Sequence, residues 1–459
     1  MSPQLILADF VFFVPGFGEL FPGLALAGSA AVLGGPLLLR SLEYHPILRR
    51  MASHAMAWRL LVLCFTVFWL VPYYMVGGSD AVSYHGQGVG IAELLRDGSF
   101  DQIDWSLGTA TMRCIVGFFY LPFGGNLYAM YFISALIGLA AVIYFVKAFS
   151  LLYPRPISRK YALLLVFLPS FAMWSTTFGK DSFASLGFGM IAYGYAVWLK
   201  KRHGAAMAHV GIGIVLLGLV RPHMALLAIV ALFVTELICA ESGSRKVSVA
   251  KFVRLTVASI LIAFLWPVVR DFVHLDDSSS KGAFAVSRAT VTNNSNGGSA
   301  VDTPDITSPL QLAMFFPLGV VRVLFRPFPW EAHNVNAALS ALENLFILIF
   351  TLRRARFLPR LIGGMRTNPF ACFCLVLSLE LLLILGPLPN LGLLSRERAQ
   401  LLPFFFAFML TPSSRFSQRL SLPAHRPVVW QSRAAERWAA RGYPVGTANA
   451  QRREPLEHA

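Results

Sequence analysis

Charged residues are scarce in this sequence. Asp, Glu, Lys and Arg make up 14% of its 459 residues, whereas a soluble domain carries about 25%. Hydrophobic residues reach 56%, and the mean hydropathy is +0.62. This balance excludes a soluble fold. Apolar blocks near the length of about 20 residues that spans a bilayer predict instead a polytopic membrane protein.

Other signals are lacking as well. The five cysteines lie in or beside apolar segments, which supports neither a disulfide framework nor a zinc site. The sequence has no nucleic-acid-binding motif and no internal repeat of the kind that marks many secondary transporters. The N-terminus has neither a basic region nor a small-residue cleavage site, so we expect no removable signal peptide there. The sequence therefore predicts no nucleic-acid partner and no metal-ligating residues.

The apolar windows predict an all-α, polytopic transmembrane helical bundle of about eleven spans. Two further apolar segments, 110–123 and 310–325, are short and are interrupted by Arg113, Arg322 and Pro317. We expect re-entrant or interfacial helices at these two places. The predicted spans lie near residues 20–40, 58–78, 126–150, 160–178, 182–199, 205–221, 223–241, 251–270, 333–352, 369–388 and 398–411.

Lys and Arg collect in the loops on one side of these spans. Because cytoplasmic loops retain positive charge, that side is predicted to be cytoplasmic. Residues 1–411 then form a transmembrane domain with external loops at 79–124 and 271–332. Residues 412–459 form a basic tail that we expect to be disordered and cytoplasmic. The net charge of +16 is mostly a consequence of this topology.

Polar side chains that are unusual beside a membrane collect in five predicted external turns. The cationic ones run against the charge bias of the other loops, so a functional role would offset their cost. The candidate catalytic residues are Asp80 and His85. The candidate substrate-binding residues are Tyr84, Trp174, Lys180, Asp181, Arg221, His223, Arg326, Trp330, Glu331, Arg396 and Arg398.

Guanidinium groups at headgroup depth suit the phosphate of a lipid carrier, because they form paired hydrogen bonds to phosphate oxygens. A polyprenyl phosphate or diphosphate fits this description, and Asp80 is the first choice for a base that deprotonates an acceptor hydroxyl. Structural interpretations stay open for several residues. Asp181 suits the start of a helix, Arg221 could extend to the interface, and Trp174 could belong to an interfacial aromatic belt.

The Asp80 loop, with Tyr84-His85 and the amphipathic stretch after it, resembles the polytopic glycosyltransferases of the GT-C type. The external arginines resemble those of O-antigen polymerases. The resemblance implies a bacterial inner-membrane enzyme that polymerises or transfers sugars from a polyprenyl-linked donor to a glycan or lipid-linked acceptor on the periplasmic face. It makes Asp80 the catalytic base and assigns the carrier phosphate to Arg221, Arg326, Arg396 and Arg398. A single Asp80 replaces the paired acidic motif of that type, which leaves the use of a divalent metal open.

Two other functions remain open at this point. A transporter or flippase for lipid-linked glycans would use the same arginines to hold phosphate, and a central passage lined by Glu236 and Glu343 would favour it. A non-catalytic membrane subunit of a polysaccharide assembly system would have neither a cavity nor converged charges. All three alternatives share membrane lipids as partners.

Overall fold

The computed structural model describes residues 46–67, 80–201, 204–239, 249–272, 309–332 and 335–412, together with Ala25 and Ile306. The predicted span at 20–40, the end of the span at 58–78 and the tail beyond Pro412 lie outside the described residues. Within the described ranges there is no strand, and every regular element is helical. The all-α prediction is confirmed.

Fifteen α-helices lie in the described ranges. The first nine are α1 (Pro46–Phe65), α2 (Asp80–Arg96), α3 (Thr109–Phe123), α4 (Leu127–Leu152), α5 (Arg155–Phe167), α6 (Pro169–Thr176), α7 (Lys180–Lys201), α8 (Ala205–Val220) and α9 (Pro222–Ile238). The remaining six are α10 (Val249–Phe272), α11 (Pro309–Phe325), α12 (Val335–Ala355), α13 (Leu358–Gly363), α14 (Pro369–Leu385) and α15 (Leu391–Leu410). Short 3₁₀ turns lie at Phe100–Gln102, Pro329–Glu331 and Met365–Thr367.

Most predicted spans correspond to one helix each, but the segment 160–178 does not. It is divided between α5 and α6, which meet at Leu168 and Pro169. Proline has no amide hydrogen and disfavours a helical conformation in the residue before it, so a helix ends at Leu168 and a new one begins at Pro169. The short helix α6 then ends at Thr176, just before the first cavity residues of α7.

Three of the described helices are long and apolar enough to span a membrane: α4, α7 and α10. Five more helices are apolar but shorter, including α8, α9 and α14. The predicted number of about eleven spans therefore stays a prediction. The three helices also differ in packing, since 72% of the most apolar window is buried in α4 and in α7 but only 6% in α10.

The core lies where α4, α7, α14 and α15 meet. Phe404 of α15 contacts the rings of Phe145, Phe188 and Phe373, one from each of the other three helices, with centroids 5.4 to 5.7 Å apart. Aromatic pairs at this spacing add to the stabilisation that burial alone provides. These contacts hold the second half of α15 rigidly in the bundle, and so they position the charged residues of its first half.

Helices α2 and α3 pack closely at two glycines. A Cβ atom on Gly88 would lie 2.4 Å from Cγ1 of Val116, and one on Gly117 would lie 2.5 Å from Cγ2 of Ile91. Only glycine permits this approach without moving a β-branched neighbour. The close contact fixes the two helices as one unit, whose first turns reach the cavity described below.

Candidate functional site

A cavity of about 550 Å³ opens at one end of the described bundle. Its wall is built from the first turns of α2, α3, α7 and α9 and from the segment that joins α14 to α15. Six of the thirteen residues predicted from the sequence line it. They are Asp80, Tyr84, Lys180, Arg221, His223 and Arg396. The structure thus brings together residues that are separated by up to 316 positions in the sequence.

A chain of ion pairs runs along the cavity wall, and we call Arg221, Asp181, Arg396 and Asp80 the cavity ion-pair chain. Arg221 Nη2 lies 2.6 Å from Asp181 Oδ1, and Arg396 Nε lies 2.6 Å from Asp181 Oδ2. Arg396 Nη1 then lies 2.7 Å from Asp80 Oδ2. The other side of Arg221 pairs with Glu397. Both arginines are therefore already bound to carboxylates of the protein.

Local sequence places the members of this chain. Arg221 occupies the turn between α8 and α9, and Pro222 begins α9 because its missing amide hydrogen costs nothing at that position. Asp181 lies in the first turn of α7, where the helix dipole favours a carboxylate. The helix that carries Arg396 is capped by Asn390, whose side chain accepts a hydrogen bond from the amide of Leu393.

The two aspartates of the chain differ in exposure. The Asp181 side chain is only 4% exposed, and each of its oxygens binds an arginine. The Asp80 side chain is 49% exposed, and among the described residues Arg396 is its hydrogen-bond partner. A proton can therefore reach Asp80 from the cavity, whereas Asp181 is held in place as a counterion. The guanidinium of Arg396 also lies 5.7 Å from the ring centroid of Trp174, which sits behind it.

Lys180 lies on the same wall but pairs with a hydroxyl group. Its Nζ donates to Thr109 Oγ1 at 2.7 Å. Thr109 is brought there by Gly108, which has a φ of 90° and donates its amide hydrogen to the carbonyl of Leu219 at 2.8 Å. Only glycine adopts this backbone conformation without strain. Arg113, one turn after Thr109, also lines the cavity.

Sequence reasoning missed two charged residues of this wall. Arg113 interrupts an apolar segment, and an arginine in such a segment is costly unless it faces water or protein. That cost was the available signal for it. Glu397 pairs with Arg221, which lies between α8 and α9. No sequence signal identifies that partner.

Four predicted residues lie elsewhere. His85 Nδ1 is 2.8 Å from the hydroxyl of Tyr120, and partial burial lowers the pKa of His85 below its usual value. Arg326 and Glu331 form a local ion pair, in which Glu331 also accepts the amide hydrogen of Phe328 at 2.8 Å. Trp330 is 78% exposed and stacks on Phe328. None of these four lines the cavity.

Arg398 is placed differently from the prediction. The sequence puts it in an external turn with Arg396, but α15 begins at Leu391, so both arginines lie within a helix. Residues two positions apart on a helix point in nearly opposite directions. Arg398 is fully buried, donates to the side chain of Asn344 and lies 3.7 Å from Glu343. It does not line the cavity.

Glu343 is itself buried and accepts hydrogen bonds from both the amide and the hydroxyl of Ser170. We call Arg398, Glu343, Asn344 and Ser170 the buried Arg398 cluster. Asn344 extends the cluster by donating to the carbonyl of Pro327 at 3.0 Å. The cluster joins α6, α12, α15 and the end of α11 through polar contacts away from water.

The fold and the cavity define a class of protein: an all-α protein with membrane-capable helices and a charged cavity built from non-contiguous helix ends. No protein-family model, no curated protein and no solved structure matches the chain. Among the described residues, no group of three or more His, Cys, Asp or Glu side chains is arranged to hold a metal ion.

Proposed function

We propose that the protein is a membrane glycosyltransferase or polysaccharide polymerase that uses polyprenyl phosphate- or diphosphate-linked sugars. The cavity is the site of transfer, and it faces the periplasmic side of a bacterial inner membrane. The C-terminal tail is cytoplasmic in this proposal. The acceptor is a glycan or a lipid-linked glycan.

One observation carries the proposal: a half-exposed carboxylate, Asp80, stands in the cavity beside cations from three other helices. Transfer of a sugar from a phosphate requires a group that accepts a proton and groups that stabilise the negative charge of the departing phosphate. Asp80 can serve as the first, and cations such as Lys180 can serve as the second. A cavity of about 550 Å³ is within the usual range for small-molecule sites, roughly 300 to 1,000 Å³.

The proposed reaction is a displacement at the anomeric carbon of the donor sugar. The oxygen of the acceptor hydroxyl forms a bond to that carbon while its proton passes to Asp80. The bond between the anomeric carbon and the phosphate oxygen breaks, and its electron pair stays on the phosphate. Arg396 positions Asp80 through the Nη1 contact.

Transport has less support in the geometry. A central passage lined by Glu236 and Glu343 would favour transport, but neither residue lines the cavity. Glu236 pairs with Arg254 at 2.9 Å, and Glu343 is held in the buried Arg398 cluster. Both carboxylates thus have protein partners that account for their burial. The transferase proposal instead uses the charged residues that line the cavity.

The experiment is to measure glycan chain growth and lipid-linked precursor in cells whose only copy of the protein carries Asp80→Asn. We expect growth to fall by about 100- to 10,000-fold, the usual contribution of a general base, while precursor accumulates. Asp101→Asn is the matched control, because Asp101 is exposed and does not line the cavity. Normal growth with Asp80→Asn, at wild-type protein levels, would refute the proposal.

A further inference from the structure

The cations on the cavity wall fall into two kinds. Arg221 and Arg396 each bind two carboxylates, so their charge is already balanced within the cavity ion-pair chain and by Glu397. Lys180 and Arg113 also line the cavity, but in the described part of the chain neither forms an ion pair with a carboxylate. Among the described residues of the cavity wall, Lys180 and Arg113 are therefore the cations that have no carboxylate within ion-pair distance.

These two cations lie on either side of a hydroxyl group. Thr109 and Arg113 are four residues apart on α3, which places them on one face of the helix. Lys180 reaches that face from α7 and donates to Thr109 Oγ1 at 2.7 Å. The Nε of Arg113 is buried and has no hydrogen-bond partner among the described residues. The face thus presents two cations and a hydroxyl, with an unused donor on the arginine.

Such a set of groups suits the oxygens of a phosphate. A buried donor without a partner costs free energy, and an anion that accepts from it removes that cost. Arginine and lysine form short, charge-assisted hydrogen bonds to phosphate, and the hydroxyl of a threonine adds a neutral one. An arginine already bound to two carboxylates binds a phosphate more weakly, because the phosphate must compete with those carboxylates.

The aliphatic residues of the cavity wall indicate what the phosphate is attached to. Ile384, Leu388 and Leu393 line the cavity from the end of α14 and the start of α15. Ile384 is 46% exposed, so part of its side chain is free to contact an apolar ligand. A phosphate ester with an apolar chain contacts both sets of residues. Its phosphate binds the cations, and its chain covers the aliphatic side chains.

We propose that Lys180, Thr109 and Arg113 form the phosphate-binding subsite of the cavity and that its ligand is a phosphate or diphosphate ester of an isoprenoid alcohol. Arg221 and Arg396 are positioning residues, which hold Asp181 and Asp80 rather than the ligand. The isoprenoid part of this assignment rests on the proposed function, whereas the phosphate part rests on the arrangement of the three side chains.

The test is calorimetric titration of the full-length protein, purified in detergent, with geranyl diphosphate and separately with inorganic pyrophosphate. Lys180→Met and Arg113→Gln are each expected to weaken geranyl diphosphate binding by about 10- to 100-fold, the loss of one charge-assisted hydrogen bond. Lys160→Met and Arg159→Gln are the matched controls, because both residues are exposed on α5 and the chemical changes are identical. Thermal unfolding of each variant checks that it is folded.

Five outcomes separate the alternatives. Loss of binding in the two cavity variants alone supports the subsite, and weaker binding of pyrophosphate than of geranyl diphosphate supports the isoprenoid. Equal binding of the two probes leaves a phosphate site and overturns the isoprenoid assignment. Binding that is unchanged in both cavity variants, or absent in the wild type, overturns the subsite.

The subsite and the proposed function can fail independently. If geranyl diphosphate binding depends on Lys180 and Arg113 but Asp80→Asn cells grow glycan normally, the subsite stands and the transferase proposal falls. If Asp80→Asn abolishes glycan growth but geranyl diphosphate binding does not depend on Lys180 and Arg113, the transferase proposal stands and the subsite falls.

Discussion

Arg396 and Arg398 lie two residues apart on α15, but their surroundings differ completely. The Arg396 side chain is 20% exposed and binds Asp80 and Asp181 at the cavity wall. The Arg398 side chain is fully buried and faces Asn344 and Glu343 on the other side of the helix. The same residue type on the same helix thus belongs to two polar clusters, one open to a cavity and one closed to water.

The difference shows how charge can serve two purposes in an apolar bundle. In the buried Arg398 cluster, removing one partner leaves a charge without compensation in a medium of low dielectric constant, which is strongly destabilising. In the cavity ion-pair chain, the half-exposed end at Asp80 can exchange its partners with water, so a substitution there costs little stability. We therefore expect substitutions in the first cluster to affect folding and substitutions at the exposed end of the second to affect chemistry.

The largest effect is expected from Arg398→Ala. It leaves Glu343 buried without its cation, and it leaves the side chain of Asn344 without a donor. The free energy of unfolding should fall by about 3–5 kcal/mol. Denaturant unfolding in detergent micelles, followed by tryptophan fluorescence, measures this change.

A double variant, Arg398→Met with Glu343→Gln, removes both charges and should recover a large part of the loss. A loss below about 1 kcal/mol in the single variant would show that the cluster is not closed to water.

A smaller effect is expected from Ser170→Ala. The substitution removes the hydroxyl that donates to Glu343 but keeps the backbone amide, which donates to the same carboxylate at 2.6 Å. Loss of one hydrogen bond to a charged group should lower the free energy of unfolding by about 1.5–3 kcal/mol. Ser83→Ala at the cavity wall is the matched control and should change stability very little, because Ser83 is exposed. Equal losses in the two variants would contradict the distinction between the clusters.

The sequence predicts much of the helical framework, because apolar windows and loop charges are local properties. It does not predict where α15 begins. The polar run from Ser395 to Gln400 looks like an external turn, but the Asn390 cap and the packing of Phe404 extend the helix through it. The segment 160–178 likewise looks like one span, although Pro169 divides it.

The candidate site could be predicted only in part. Six of its residues can be predicted because polar side chains are unusual beside a membrane, but their pairing cannot. The packing of α7, α9 and α15 decides which carboxylates Arg221 binds. Its partners Asp181 and Glu397 are 40 and 176 residues away in the sequence, so these contacts leave no local pattern. Arg113 was missed for a related reason, since nothing in its own segment shows that Lys180 lies nearby.

At the exposed end of the cavity ion-pair chain, Asp80→Asn is expected to change the free energy of unfolding by no more than about 1 kcal/mol. The reason is that the Asp80 side chain is half exposed and Arg396 keeps Asp181 as a partner. The same unfolding assay measures this change. A loss as large as that of Arg398→Ala would mean that Asp80 holds the bundle together, and its effect on glycan growth would then be structural.

The smallest effect is a pH dependence at His85. Burial lowers the pKa of His85, so the folded state favours the neutral imidazole that contacts Tyr120. The resulting stability is present above the unfolded pKa of about 6.5 and is lost as the pH falls through the lower folded pKa. The unfolding midpoint of wild type should therefore decline slightly below pH about 6.5, and that of His85→Gln should decline less. Identical pH profiles for wild type and His85→Gln would show that protonation of His85 does not affect the stability of the fold.

The most direct test of the two-cluster description compares Arg396→Gln with Arg398→Gln, each assayed for unfolding free energy and for glycan chain growth at matched protein levels. Arg396→Gln should reduce growth by about 100-fold through misplacement of Asp80, and it should lose less stability than Arg398→Gln because Asp181 keeps Arg221 as a partner. Arg398→Gln should lose about 3 kcal/mol of stability, while the correctly folded fraction retains its activity. If both variants lose stability equally, or if Arg396→Gln grows glycan normally, the division between a chemical and a structural cluster is wrong.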